Sequence, residues 1–143
     1  MKFARTDRRA KKPTRKHQSD AGLDLYALDS VVVKPGYSEI VHTGIAIELP
    51  ENTMGLIKPK SRHTRLIGAG VLDQDYRGEI MVRVFNTDPR NLYIKAGDPV
   101  AQLVVVPILT PEVERVSMKE LTKTKRGASG GIGGEIGEEE EDA

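Results

Sequence analysis

"SEIVHTGIAIELP", residues 38–50, decides the fold class. Ile40, Thr43 and Ile45 to Leu49 recur with a period near two, and the run stops at Pro50 before the polar pair Glu51-Asn52. A period of two is that of a strand with one buried face, and a proline followed by polar residues reads as a turn. Similar runs lie on either side: SVVVKPGY, broken at Pro35-Gly36, then MGLIKPK, EIMVRVFN and PVAQLVVVPIL. They are rich in Val and Ile and punctuated by turn residues, TDPRN from 87 and KAGDP from 95. Helical periodicity is almost absent. Only Ser117 to Leu121, with Ser117 as a cap and Glu120 three residues on, predicts a helical turn. The chain is therefore expected to be all-β, as a sandwich, jelly roll or barrel.

A chain of 143 residues is most simply one β domain, expected over residues 1–121. From Thr122 the composition changes to TKTKRGASGGIGGEIGEEEEDA, which lacks aromatic residues and cannot bury enough apolar area to order itself. Residues 122–143 are expected to form a flexible arm, either a solvated terminus or a glycine-rich phosphate clamp that orders on a ligand. The formal net charge of +1 gives no long-range field that would favour nucleic acid. Residues 1–16 nevertheless hold eight Lys or Arg against one Asp, while Glu138 to Asp142 are all acidic. Residues 2–16 are basic without an aromatic platform, which argues against a nucleic-acid partner. The absence of cysteine excludes disulfides and thiolate sites, and three scattered histidines make no zinc constellation. With neither an apolar leader core nor about 18 consecutive apolar residues, a soluble cytoplasmic protein with no membrane partner is expected.

Four short stretches carry polar chemistry. GVLDQDYRGEI, residues 70–80, sets Asp73, Asp75 and Tyr76 between glycines. On an extended hairpin limb the two carboxylates are expected to point to opposite faces, one towards Tyr76 and one towards solvent. An Asp in a turn most often bonds its own backbone, so either has a structural alternative. In AGLDLYA, residues 21–27, Asp24 interrupts an apolar strand-like stretch, and a buried carboxylate is costly unless it is paired, protonated or metal-bound. IKPKSRHTR, residues 57–65, suits an anionic ligand, with Lys60 supplying charge and Ser61 a donor, or is simply a solvated basic loop. In AGDPVAQLVVVP, residues 96–107, Gln102 interrupts a buried strand and must find a partner, whether a backbone loop, a water or a phosphate. His17, His42 and His63 are assigned no role.

In this order along one small β domain, AGLDLYA, PKS, GVLDQDYRGE, GDPVAQLV and, less closely, RGASGGIGG resemble the five motifs of the trimeric dUTPases, from about Phe3 to Gly134. The resemblance implies a distorted jelly-roll barrel with a glycine-rich C-terminal arm. It also implies hydrolysis of dUTP to dUMP and pyrophosphate, which limits uracil in DNA and supplies dUMP for dTMP synthesis. Asp73 would activate a water for in-line attack on the α-phosphorus. Tyr76 would pack on the deoxyribose and leave no room for a 2′-hydroxyl. The backbone of Gly70, Val71 and Leu72, on towards Tyr76, would bond the uracil edge and so reject cytosine. Mg²⁺ would sit mainly on the three phosphates, with Asp24 reaching it through water. Lys60, Ser61, Arg62 and Gln102 would serve the phosphates, and Arg126 and Ile132 would belong to the arm. The family's sites are shared among three subunits, so a homotrimer is expected.

The chain departs from the family pattern in three places. Lys60 stands where an arginine is usual, keeping the charge but losing the bidentate fork, and Arg62 or Arg65 would compensate. The segment between Ser61 and Gly70 is several residues short. The arm lacks its aromatic residue: Gly131 occupies that position without a gap, Ile132 with one inserted residue, and Glu135 would repel a triphosphate. Arm closure is therefore expected to be weaker than in typical relatives. Two rival readings remain. In a dCTP deaminase the general acid-base glutamate would fall at Arg83, which cannot shuttle protons. In a non-catalytic nucleotide-binding or regulatory protein on the same fold, Asp73 would have no purpose.

Overall fold

A computed structural model of the chain describes residues 1–59 and 70–129. The chain divides into two units, Met1–Leu109 and Thr110–Ala143. Among the described residues the strands all lie in the first unit: β1 (Lys2–Arg5), β2 (Gly22–Tyr26), β3 (Val31–Val33), β4 (Ser38–His42), β5 (Ile45–Glu48), β6 (Thr53–Lys58), β7 (Gly70–Leu72), β8 (Met81–Phe85), β9 (Leu92–Ile94) and β10 (Pro99–Pro107). They pair antiparallel in four sheets, β1-β5, β2-β10-β6-β7, β3-β9 and β4-β8. The expected all-β architecture is what the chain adopts.

The stretch 38–50 is two strands rather than one. Val41, Ile45, Ile47 and Leu49 are buried, as the period of two requires, whereas Ile40 is exposed. Between the strands Gly44 has φ 69°, a conformation that breaks a ladder and that side chains with a Cβ rarely adopt. Thr43 is 1% exposed, and its Oγ1 donates to the Ile80 carbonyl at 2.6 Å. The interruption therefore forms a corner against which a later segment docks. The core joins Val41, Ile45, Val33, Leu25 and Leu103 from the four sheets with Ile80 from the crossing segment, and alternate residues of the strands reach it. Among the described residues no buried side-chain polar atom lacks a hydrogen-bond partner, as buried polar groups require.

In the second unit, α1 (Met118–Leu121) is the expected helical turn. Ser117 Oγ accepts the Glu120 amide at 3.2 Å, which satisfies one of the free N–H groups at the helix start. Among the described residues no helix is long and apolar enough to cross a membrane.

Candidate active site

Strand β7 is the edge of the four-stranded sheet, with Gly70, Val71 and Leu72 opposite Ile57, Leu56 and Gly55. Among the described residues nothing pairs with its other side, which leaves there the backbone donors and acceptors that reading a base by main-chain contacts requires. Gly70 to Leu72 form the expected hairpin limb, paired antiparallel with the preceding strand β6, but the segment beyond them leaves the sheet. Strand β8 pairs with β4 in another sheet, so residues 73–80 cross between sheets rather than folding back on β7. The crossing begins with a turn in which the Asp73 carbonyl accepts the Tyr76 amide at 3.1 Å. It is braced by the Asn52 amide, which donates to Gln74 Oε1 at 3.0 Å, and by Arg77 Nη1, which donates to the Gln74 carbonyl at 2.6 Å.

Asp73 and Asp75 are both exposed within this crossing. The expectation of opposite faces fails because strand alternation does not apply inside a turn, and on a strand residues two apart would share a face. Their positions differ all the same. A pocket of about 280 Å³ opens between the two sheets, with Ile57 at its floor and Gly70 to Asp73, Tyr76, Glu79 and Met81 around it. Asp73 lines this pocket and Asp75 does not.

The Tyr76 ring lies over Gly78, where an added Cβ would be 2.5 Å from the hydroxyl and 2.7 Å from Cζ. Its hydroxyl donates to the Glu79 carbonyl at 2.8 Å, yet the residue stays 42% exposed, presenting the ring to the pocket. Glu79 reaches back to the corner: Oε2 accepts the Gly44 amide at 2.8 Å, and Oε1 lies 3.0 Å from His42 Nδ1. Neither Glu79 nor His42 was singled out by sequence reasoning. The signal available was the acidic residue closing RGE, but its partners come from the end of β4 and the corner after it, more than 30 residues earlier.

Gln102, expected to serve the phosphates, and Asp24, expected to reach the metal, sit elsewhere on the same sheet. Asp24 on β2 stands opposite Gln102 on β10, which stands opposite Lys58 on β6. Directly opposed residues share a face, so the three form one row. That face is the outer one, since the alternate residues Leu23, Leu103 and Ile57 are buried in the core. Gln102 Nε2 donates to the Pro59 carbonyl at 2.8 Å, and its side chain lies so close over Gly22 that a Cβ there would collide with Oε1. The Asp24 amide donates to the Thr14 carbonyl at 2.8 Å, and the residue is half-buried.

The row and the Asp73 pocket occupy different parts of the sheet. Leu72 faces Gly55, so Asp73 is about level with Met54, four residues along β6 from Lys58. Four strand rises and three interstrand spacings separate Asp73 from Asp24 by roughly 19 Å. Arg126 lies in the second unit, where its carbonyl accepts the Ser129 hydroxyl at 2.7 Å. Lys60, Ser61, Arg62 and Ile132 lie outside the described residues.

A larger hollow of about 470 Å³, bounded by Asn86, Asp88, Arg90 and Tyr93, contains no predicted site residue. Its polar groups already bond one another: Asn86 Nδ2 donates to the Val33 and Arg90 carbonyls, and Asn86 Oδ1 accepts the Asp88 amide. Arg83, the position relevant to deamination, donates from Nη1 to Ser38 Oγ at 3.0 Å.

The family model for dUTPase matches residues 8–133. A deoxyuridine 5′-triphosphate nucleotidohydrolase of Corynebacterium jeikeium (strain K411) is 41% identical over 138 residues, covering 91% of this chain and 89% of that protein. The enzyme of the same name from Yarrowia lipolytica (strain CLIB 122 / E 150) is 37% identical over 134 residues, covering 91% and 85%. Among solved structures, the Staphylococcus bacteriophage 80alpha dUTPase with dUpNHpp superposes with a TM-score of 0.83 at 26% identity, over 90% of this chain and 94% of that one. A mutant dUTPase from phage phi11 of S. aureus, in which a structural Mg(II) ion is coordinated, gives a TM-score of 0.75 at 26% identity, over 80% and 95%. With the jelly-roll fold shared and the family match running through nearly the whole chain, the protein belongs to the dUTPase family.

Proposed function

We propose that this dUTPase-family enzyme cleaves dUTP between the α- and β-phosphorus, with Asp73 as the base. Asp73 takes a proton from a water as its oxygen bonds to the α-phosphorus; the bond to the bridging oxygen breaks, and pyrophosphate leaves with dUMP formed. The supporting observation is the pocket at the sheet crossing, where a free strand edge, an exposed tyrosine ring and a carboxylate converge. The edge of β7 reads the uracil, Tyr76 screens the sugar, and Gln102 with Lys60, Ser61 and Arg62 holds phosphate oxygens. The products fit a role in keeping uracil out of DNA and supplying dUMP for dTMP synthesis.

Among the described residues no three His, Asp or Glu gather to hold a metal, whereas Asp24 stands on the outer row beside Gln102. A single carboxylate fits Mg²⁺, which keeps much of its hydration and takes ligands from substrate phosphates. Asp24 would hold the ion through water, and the ion would neutralise triphosphate charge.

The separation of roughly 19 Å between the Asp73 and Asp24 backbones is at the far limit of what both side chains, two waters and one metal–triphosphate span when laid end to end, with reacting atoms about 3 to 3.5 Å apart. That distance supports sites shared between subunits of a homotrimer. The outer face offers an interface: Met54, Leu56, Val104 and Val106 are only half-buried, and Val71 is 61% exposed. The arm, residues 122–143, is assigned to the third contribution, through Arg126 and the amides around Ile132.

Pyrophosphate release measured with dUTP, UTP, dCTP and dTTP side by side tests the reading. Turnover is expected with dUTP alone, and Asp73→Asn is expected to lower kcat at least about a hundredfold while dUTP still binds. Full turnover by that variant would remove Asp73 from the role of base.

A further inference from the structure

We infer that Glu79 is a positioning residue for deoxyribose selection, acting on Tyr76 through its own main-chain carbonyl. The inference rests on Tyr76 being the sugar screen proposed above. The Tyr76 ring packs on Gly78 but is 42% exposed, and the Glu79 carbonyl is the acceptor that fixes its hydroxyl, at 2.8 Å. The ring can exclude a 2′-hydroxyl only as firmly as that carbonyl is held.

The carbonyl is held by its own side chain. Glu79 Oε2 takes the Gly44 amide at 2.8 Å and Oε1 pairs with His42 Nδ1 at 3.0 Å, so one carboxylate ties the crossing to the β4–β5 corner at two points. The next residue continues the attachment: the Ile80 amide donates to the Ile45 carbonyl at 2.8 Å, and the Ile80 carbonyl accepts Thr43 Oγ1 at 2.6 Å. Hydrogen bonds to an ionised carboxylate are shorter and stronger than neutral ones, which suits Glu79 to holding a small peptide segment still. The Glu79 side chain is 23% exposed and borders the pocket, close enough to the sugar subsite for a shift of its carbonyl to be felt there.

The measurement is the ratio of kcat/KM for dUTP to that for UTP in the full chain. Glu79→Ala is expected to lower this ratio about three- to tenfold, the worth of one ordinary hydrogen bond to the ring. Glu79→Gln, which keeps an oxygen acceptor for the Gly44 amide, is expected to restore most of it. Tyr76→Phe combined with Glu79→Ala should be no worse than the more severe single variant, because both break the same link. A folded Glu79→Ala protein with the parent ratio overturns the inference, as does full additivity in the double variant. If Glu79→Ala does not fold, Glu79→Gln combined with His42→Ala is read under the same outcomes. Tyr76→Ala separates the two levels: an unchanged ratio there sinks the sugar-screen reading itself, whereas a lowered ratio with Glu79 variants unaffected sinks the Glu79 inference alone.

Discussion

Gly22 and Gly78 each lie beneath a side chain of the site, and neither leaves room for a Cβ. At Gly22 the neighbour is Gln102, whose amide nitrogen is bonded to the Pro59 carbonyl. A methyl group there must push Gln102 off the outer face, and with it the donor proposed for a phosphate oxygen. Gly22→Ala is therefore expected to raise KM for dUTP at least about tenfold, the low end of the worth of a hydrogen bond to a charged group, with a smaller change in kcat. Steady-state kinetics checks this, and an unchanged KM would free Gln102 of its phosphate role. At this scale the sequence marked Gln102 as a polar residue in need of a partner, since an amide stands inside VAQLVVV. That the partner was the Pro59 carbonyl was not legible, because nothing local links positions 102 and 59.

At the scale of elements, the segment before β2 is held by charge as well as by strand pairing. Arg9 Nη2 lies 3.0 Å from Asp7 Oδ2 and Arg9 Nη1 2.9 Å from Asp29 Oδ1, while the Arg9 amide donates to Asp7 Oδ1 at 2.9 Å. The side-chain bond from Arg9, followed by its backbone bond, lowers the Asp7 carboxyl from 3.8 to about 2. A carboxylate with a depressed folded-state pKa stabilises the fold fully above its unfolded value, and the contribution fades as pH falls from near 3.8 through 2. Arg9→Ala should accordingly lose less stability than the parent between pH 4 and pH 2, in a small effect because the pair is solvent-exposed. Thermal denaturation at stepped pH reads the difference; parallel curves would show that the pair does not couple to folding. The same scale explains why residues 73–80 cross between sheets. Alternation marks a strand but not its partner, and β7 finds β6 while β8 finds β4.

At the scale of the whole molecule, Asp24 and Asp73 mark opposite regions of one sheet, and the outer face between them is apolar. Val104, opposite Leu56 on that face, is the residue to charge. Val104→Asp is expected to give folded subunits that no longer associate, with loss of dUTP turnover in the same protein, since each site would lack another chain's residues. Sedimentation and activity measured together across a dilution series check this. A monomer with full turnover would show that one chain completes its own site.

Strand character, turn positions, the helical turn at Ser117 and the identity of most candidate residues were determined by the sequence alone. These are local properties: a period of two, turn residues at the ends of runs, and polar groups inside apolar stretches announce themselves to their neighbours in the chain. Only the tertiary structure decided which strands pair, that stretch 38–50 breaks at Gly44, and that residues 73–80 bridge two sheets. It alone separated Asp73 from Asp75 by placing one at a pocket, and it alone found His42 and Glu79 as partners. Each of those outcomes depends on contacts between residues far apart in the chain, which periodicity and composition do not encode.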